Sequence, residues 1–320
     1  MTRTSERIPL GADRPGTQRS LLVHRYGDPD ARPKAYLQAA LHADETPALL
    51  VAHHLARLLD AADARGEIAG QVVLVPYANP IGLDQFVNRR LSGRFELAGG
   101  GNFNRNWPDL FEPLCERVSG KLGDDAAANV ATVRQAINEL LAGHSATSQL
   151  ERLRLTLARL AADADIVLDL HCDDDALMHL YLLAAHWPEG QVLAAELGCR
   201  AVLLADDSGG GAFDESFATL WTRLAARFPE RPIPAACLAG TVELRGQADV
   251  SDALAEQDAR ALMRVFQHHG LINGEPGPAP EPQCDATRLE ACDTVAAPAS
   301  GVLCYVVEPG QRVRAGDTLA

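Results

Sequence analysis

The chain has 320 residues, with 29 basic and 43 acidic side chains, a net charge of −14 and 47% hydrophobic residues, which excludes a disordered, collagen-like or fibrous protein. The acidic balance argues against a nucleic-acid partner, and no apolar run reaches the roughly 18 residues that a membrane-spanning helix needs. Seven cysteines without a C-x-x-C pair, and an N-terminal sequence without the apolar stretch of a secretory signal, favour a soluble, cytoplasmic protein with no membrane partner.

The first half of the sequence predicts alternating strands and helices after a polar start. Residues 1–19 are polar and interrupted by Pro and Gly, which is typical of a tail or a peripheral arm. The main domain is expected over residues 20–273. Its first strand runs into His42, and a helix follows with Thr46 as the expected N-cap and Pro47 as the first helical residue. The next predicted elements are a strand at 71–78, a Gly-rich polar stretch to about residue 109, and helices near 124–142 and 146–163.

The second half of the main domain continues the alternation. Its predicted elements are a strand at 165–170 that stops at His171, an apolar run at 177–185, a helix near 190–198, a strand at 201–205, a helix near 214–228, a strand-like run that ends at Arg245, and a helix near 251–269. This order predicts an α/β fold with a mixed, mostly parallel sheet and helices on both faces. In such sheets the chemistry lies beyond the carboxyl ends of the strands.

The C-terminal part of the sequence differs in composition. Residues 274–283 are rich in Pro and Gly and predict a linker. In residues 284–320 valines alternate with turn residues, as in half of a lipoyl-like or barrel-sandwich module, so we expect a small all-β module that is incomplete. No lysine follows Lys121, so this module has no attachment point for a swinging arm and is expected to be structural.

Three side chains at strand ends form a candidate metal site. His42 and Glu45 lie three residues apart in the turn after the first strand, and His171 ends the strand at 165–170. Imidazole nitrogen and carboxylate oxygen are ordinary zinc ligands, and three protein ligands leave one position open, as in catalytic sites. A single H-x-x-E also arises by chance, since His186 and Glu189 have the same spacing, and His171 read alone is an ordinary strand-end histidine.

Two further features carry polar chemistry. Asn104 and Arg105 follow a run of three glycines, and an arginine beside asparagines in such a loop suits bidentate capture of a carboxylate. Glu243 lies late in a strand, where a carboxylate can take a proton from zinc-bound water and pass it to a leaving amine. The competing interpretations are a loop cap for Asn104 and Arg105 and a surface strand position for Glu243.

Taken in order, the segments HADE (42–45), NFNRNWPD (102–109), LDLHC (168–172) and TVELRG (241–246) resemble the succinylglutamate desuccinylase/aspartoacylase branch of the zinc carboxypeptidase superfamily. The resemblance spans most of residues 35–250, and a C-terminal β module after a linker is also a feature of that branch. It implies a zinc-carboxypeptidase-like catalytic domain at 20–273. Two departures are Ala43, where the branch often has Gly, and a long loop between Arg94 and Arg105, so the acyl preference cannot be transferred.

The resemblance also implies roles for individual residues. His42, Glu45 and His171 would hold one zinc ion per chain. Asn104 and Arg105 would bind the carboxylate of the amino-acid part of the substrate, and Glu243 would be the general acid and base. An upstream arginine would stabilise the oxyanion; the candidates are Arg89, Arg90 and Arg94, of which Arg94 has the most glycine-rich setting.

The expected function is that of a zinc-dependent amidohydrolase that cleaves the amide bond of a small N-acyl amino acid, its small-molecule partner. One alternative is a zinc carboxypeptidase that uses the same site on peptides. A second is a non-catalytic protein that binds a carboxylate ligand, against which the presence of Glu243 argues, because binding alone needs no proton shuttle. The sequence does not define the acyl group, the amino acid or the oligomeric state, for which a homo-oligomer is one of the options.

Overall fold

The computed structural model describes residues 3–12, 14–206 and 210–320. Nine strands form the main sheet and four short strands form two hairpins: β1 (Thr4–Pro9), β2 (Ser20–Tyr26), β3 (Lys34–Ala39), β4 (Gln71–Val75), β5 (Phe86–Val87), β6 (Arg90–Leu91), β7 (Phe95–Glu96), β8 (Gly101–Asn102), β9 (Ile166–Asp173), β10 (His179–Leu182), β11 (Ala201–Leu204), β12 (Leu238–Gly246) and β13 (Ala286–Arg288).

The main sheet has the spatial order β1-β2-β4-β3-β9-β12-β10-β11-β13. Its centre is parallel from β4 through β3 and β9 to β12, and β10 is antiparallel to β12 but parallel to β11. Strands β3 and β4 are buried at every residue, as expected for parallel strands covered on both faces. The predicted mixed, mostly parallel sheet is therefore confirmed.

Helices cover both faces of this sheet: α1 (Pro47–Ala64), α2 (Pro80–Leu83), α3 (Phe111–Val118), α4 (Ala126–Gly143), α5 (Gln149–Ala161), α6 (Trp187–Leu197), α7 (Glu215–Arg227) and α8 (Asp252–His268). The apolar sides of α3, α4, α5 and α7 fill one core, and those of α1, α6 and α8 fill the other. Pro47 opens α1 as predicted, although the Thr46 side chain makes no capping hydrogen bond. No helix in the described part of the chain is long and apolar enough to cross a membrane.

Both ends of the chain differ from the simplest expectation. Within the predicted tail or peripheral arm, Thr4–Pro9 pairs antiparallel with β2 and adds an edge strand to the main sheet. At the other end, β13 joins the main sheet beside β11, and the described residues 292–320 contain no strand. The apolar side chains there are largely exposed, as for Val302 (90%) and Tyr305 (68%), and without a buried face a short alternating segment has nothing to hold it as a sheet.

Candidate metal centre and active site

Strands β3 and β9 are parallel neighbours, so their carboxyl ends meet at one edge of the sheet. His42 and Glu45 lie in the turn between β3 and α1, and His171 lies near the end of β9. Ala40, just before this turn, has a φ of +57°, a left-handed conformation that costs a non-glycine residue free energy and is found most often at functional sites. The turn thus holds His42 and Glu45 at the edge of the sheet where the adjacent strand β9 carries His171.

The three predicted ligands converge. Glu45 Oε1 lies 2.8 Å from Nδ1 of His42, and Glu45 Oε2 lies 2.6 Å from Nδ1 of His171. One ligand atom from each residue lies within 4.8 Å of the other two, and all three side chains are buried. Two imidazole nitrogens and a carboxylate close together, with no fourth ligand among the described residues, are the donor set of an open zinc site, so these residues fit a metal ion.

Asn102 and Asp169, which the sequence analysis did not single out, lie beside the second ring nitrogen of His42 and His171 respectively. Asn102 Oδ1 is hydrogen-bonded to Nε2 of His42 at 2.8 Å, whereas Asp169 Oδ2 lies 2.9 Å from Nε2 of His171, an ion-pair distance without the angles of a hydrogen bond. Metal-binding histidines generally use their second nitrogen in this way, which fixes the ring and the tautomer. Asp169 lies two residues before His171 in the same strand, so the sequence could have indicated that it faces the same side as His171. The contact of Asn102 with His42 depends on the path of a loop, which the sequence does not show.

The charges in the cluster favour the carboxylate form of Glu45 and the protonated form of His171, and a metal ion would displace that proton because only a neutral imidazole is a ligand. For Glu45, burial raises the pKa of the carboxyl, but the two adjacent histidines outweigh burial and hold that pKa well below its usual range. For His171, burial lowers the pKa, whereas the carboxylates of Asp169 and Glu45 raise it further than burial lowers it. The Cys172 N–H also donates to Glu45 Oε2 at 3.2 Å, beside the contact with His171.

Among the three candidate arginines, only Arg94 reaches the cluster. Its Nη1 donates to Glu45 Oε1 at 3.0 Å and its side chain is half exposed, whereas Arg89 and Arg90 are exposed on the β5–β6 hairpin. The preceding Gly93 lets the loop approach closely, because a Cβ at this position would lie 2.3 Å from the backbone N of the turn that carries Glu45. A glycine is therefore needed before Arg94 for steric reasons.

Asn104 and Arg105 line the same cavity but differ in how they are held. Asn104 is buried, and its Oδ1 accepts from the Trp107 indole (3.1 Å) and from the Phe213 backbone N–H (2.8 Å), so its Nδ2 is the group left to donate to a ligand. Arg105 is partly buried and donates from Nη1 to the Asn104 carbonyl (2.7 Å). No described carboxylate pairs with Arg105, so its remaining donors can meet an anion.

Glu243 lies on β12 in register with His171 on the adjacent β9. Its Oε2 is buried and has no hydrogen-bond partner among the described residues. Burial raises the pKa of Glu243 to about 7, with His171 opposing this shift and neighbouring acids adding to it. The register then shifts between Glu243 and Gly246, and bulges of this kind often occur next to active sites.

These side chains line one cavity of about 300 Å³, at the small end of the range for ligand pockets. His186, the histidine with the same H-x-x-E spacing, lies elsewhere and accepts from the Ala239 N–H at 3.4 Å. Among the described residues, His42, Glu45 and His171 form the one cluster able to hold a metal ion. The structure therefore separates the two H-x-x-E motifs, which the sequence alone could not.

The comparisons with known proteins agree with this arrangement. The family model of the succinylglutamate desuccinylase/aspartoacylase catalytic domain matches residues 31–269. A solved protein from Shewanella amazonensis SB2B, provisionally assigned to the succinylglutamate desuccinylase/aspartoacylase family, is 27% identical, with a TM-score of 0.84 over 99% of this chain and 86% of that one. A provisionally assigned one from Shewanella frigidimarina NCIMB 400 is 26% identical, with a TM-score of 0.84 over 100% and 86% of the two chains.

A more distant structure, a succinylglutamate desuccinylase/aspartoacylase from Rhodobacter sphaeroides, shares the fold at 18% identity, with a TM-score of 0.64 over 99% of this chain and 82% of that one. A search of curated proteins gave no match. Since the family model spans about three quarters of the chain and contains every residue of the cluster, the chain belongs to the succinylglutamate desuccinylase/aspartoacylase family.

Proposed function

We propose that this protein is a zinc-dependent hydrolase that cleaves the amide bond of a small N-acyl amino acid. The observation that carries the proposal is that the His42, Glu45 and His171 cluster and the carboxyl of Glu243 line one small cavity. Asn104 and Arg105 line it as well, which supplies a place for the substrate carboxylate. A cavity of about 300 Å³ favours a small substrate over a peptide.

Each side chain has a task in this proposal. A zinc ion held by His42, Glu45 and His171 would supply a Lewis acid and lower the pKa of water towards about 7. Glu243 accepts the proton of the attacking water on its unpartnered oxygen and later delivers it to the departing nitrogen. Its pKa of about 7 suits both steps, because a group that must gain and lose a proton works best near the ambient pH.

The arginines act on the two ends of the substrate. Arg94 lies beside Glu45, where its guanidinium can stabilise negative charge on the carbonyl oxygen; one such donor is worth roughly 3–4 kcal/mol in the transition state. Arg105 and the Asn104 amide bind the carboxylate of the amino-acid part and so set which end of the substrate enters. The acyl group then lies towards the metal cluster.

The test compares three substrate classes with zinc-loaded protein. N-acetyl and N-succinyl amino acids should be hydrolysed and peptides with a free carboxyl terminus should not. Glu243→Gln should reduce kcat by about a hundredfold or more while zinc stays bound. Release of amino acids from peptides alone would replace this function by a carboxypeptidase. Ligand binding without turnover of any of these substrates would make the protein a carboxylate-binding protein.

A further inference from the structure

Arg154 is a buried cation that the proposed reaction does not use. It lies on α5, is 7% exposed and does not line the cavity of the metal cluster. Its Nε has no hydrogen-bond partner among the described residues, and its Nη2 donates to the backbone carbonyl of Asn102 at 2.8 Å. Burial lowers the pKa of Arg154, and Glu96 and Glu151 oppose that shift through their charge alone. Because desolvating an arginine costs free energy that one carbonyl offsets only in part, packing alone does not account for this residue.

The carbonyl that Arg154 meets belongs to the residue that joins the two halves of the site. Asn102 Oδ1 accepts from the Asn104 backbone N–H at 2.8 Å and is hydrogen-bonded to His42 Nε2 at 2.8 Å. Because a backbone N–H can only donate, the side-chain atom that it meets is the amide oxygen. This oxygen can only accept, so His42 carries a proton on Nε2 and presents Nδ1 towards Glu45. One amide oxygen thus contacts both a metal ligand and the backbone of a carboxylate-binding residue.

Arg154 fixes the peptide group that follows Asn102. The N–H of this peptide, on Phe103, donates to the Arg94 carbonyl in the same loop at 3.1 Å, and its C=O accepts from Arg154. The Phe103 ring is buried in the core, but the orientation of the peptide before it depends on these two hydrogen bonds. The hairpin of β7 and β8 has only two residues in each strand and is marginal by itself, whereas α5 begins at a complete capping box and packs in the core. Arg154 therefore ties the loop of the site to a well-anchored helix.

We propose that Arg154 is a positioning residue that holds the Asn102 peptide, so that the Asn102 amide oxygen orients His42 for the metal ion and Asn104 for the substrate carboxylate. The part that concerns Asn104 rests on the proposed function. Arg154 itself touches neither the metal ion nor the substrate, so it acts through Asn102. Loss of its hydrogen bond should therefore weaken zinc binding and raise KM together.

The first experiment removes this hydrogen bond and includes a matched control on the same helix. Arg154→Met removes the donors, and Arg154→Gln, whose polar side chain is too short to reach the carbonyl, makes the same test if Arg154→Met does not fold. In the control Arg152→Met, the lost donor meets the Leu10 carbonyl at 2.6 Å, outside the cavity. Measured by competition with a chelator, zinc affinity should fall about tenfold in the Arg154 variant and stay unchanged in the control, although both variants lower Tm. A wild-type zinc affinity in the folded Arg154 variant would overturn the inference.

A double-mutant cycle separates positioning from a general loosening of the loop. Asn102→Ala removes the amide oxygen but keeps the backbone carbonyl that Arg154 meets. In that background Arg154→Met should weaken zinc binding about twofold at most, because the path through the amide is already absent. A further loss of about tenfold would show that Arg154 acts by another route and would overturn the inference.

Kinetics of the zinc-saturated protein separate this inference from the proposed function. With an N-acetyl amino acid, the Arg154 variant should raise KM several-fold and Arg152→Met should not; an unaltered KM would overturn the part that concerns Asn104. Hydrolysis by the wild type, with unchanged zinc affinity in the Arg154 variant, would overturn the inference and keep the proposed function. Reduced zinc affinity in that variant, without hydrolysis of any N-acyl amino acid by the zinc-loaded wild type, would overturn the proposed function and keep the link from Arg154 to His42.

Discussion

Replacing Asp214 by Asn should stabilise the ligand-free protein. Asn keeps the size of the side chain and can still accept from Thr241, but it removes a buried charge that has no counter-ion among the described residues. The stability of Asp214→Asn therefore reports on the state of this carboxyl without any substrate.

The magnitude follows from the pKa. Burial moves the pKa of Asp214 from 3.8 to about 7, and a tenfold change in proton affinity corresponds to about 1.4 kcal/mol, so the ionised carboxylate costs the fold roughly 4 kcal/mol. Because the pKa is higher in the folded state, the folded protein binds more protons between about pH 4 and pH 7, and wild type loses stability as the pH rises through that interval. The gain from Asn should be about 1.5 kcal/mol near pH 5 and roughly 4 kcal/mol near pH 8.

Calorimetric unfolding of wild type and Asp214→Asn at both pH values measures this difference. At about 2 °C per kcal/mol for a chain of this size, the rise in Tm should be about 3 °C near pH 5 and about 8 °C near pH 8. Asp124→Asn, in which an exposed carboxylate is lost, should shift Tm little and equally at both pH values. A gain that does not grow with pH, or a lower Tm for Asp214→Asn, would refute the reasoning.

Three further predictions concern the metal cluster and the substrate. Asp169→Asn should weaken zinc binding about 10–100-fold, measured by competition with a chelator, whereas substitution of the exposed Asp174 by Asn should not. Equal zinc affinities of the two variants would show that Asp169 does not support His171 as a ligand. Arg105→Ala should raise KM for N-acyl amino acids with the zinc content unchanged, and an unaltered KM would contradict its contact with the carboxylate. Gly93→Ala should lower zinc affinity, because the new Cβ would lie 2.3 Å from the backbone N of Asp44 and displace the turn that carries Glu45. An unchanged zinc affinity would show that the turn can shift without moving the ligands.

The sequence allowed the sheet and the meeting of His42, Glu45 and His171 to be predicted because both depend on local patterns. Apolar runs such as 166–170 form buried strands wherever they pair, and the carboxyl ends of parallel strands collect the side chains that follow them. His42 and His171 are distant in sequence but follow adjacent strands, so their meeting was foreseeable. The helices at 126–143 and 149–161 likewise lie within a few residues of the expected positions.

What could not be predicted depends on long-range contacts. Residues 4–9 look polar, and only pairing with β2 makes them a strand. The helix at 111–118 was missed because the Pro and Gly around it read as loop. Asn102 acquires a role only when its loop folds over His42, and an Asp before a helix reads as a cap, so Asp214 gave no sign of its burial.

The central claim is that His42, Glu45 and His171 hold a metal ion. Elemental analysis of the protein purified without chelators, beside His42→Ala and His186→Ala, tests it most directly. We expect about one zinc per chain in the wild type and in His186→Ala, and none in His42→Ala, since three ligands cannot become two without loss of the site. No zinc in the wild type after addition of the metal, or retained zinc in a folded His42→Ala, would contradict the account.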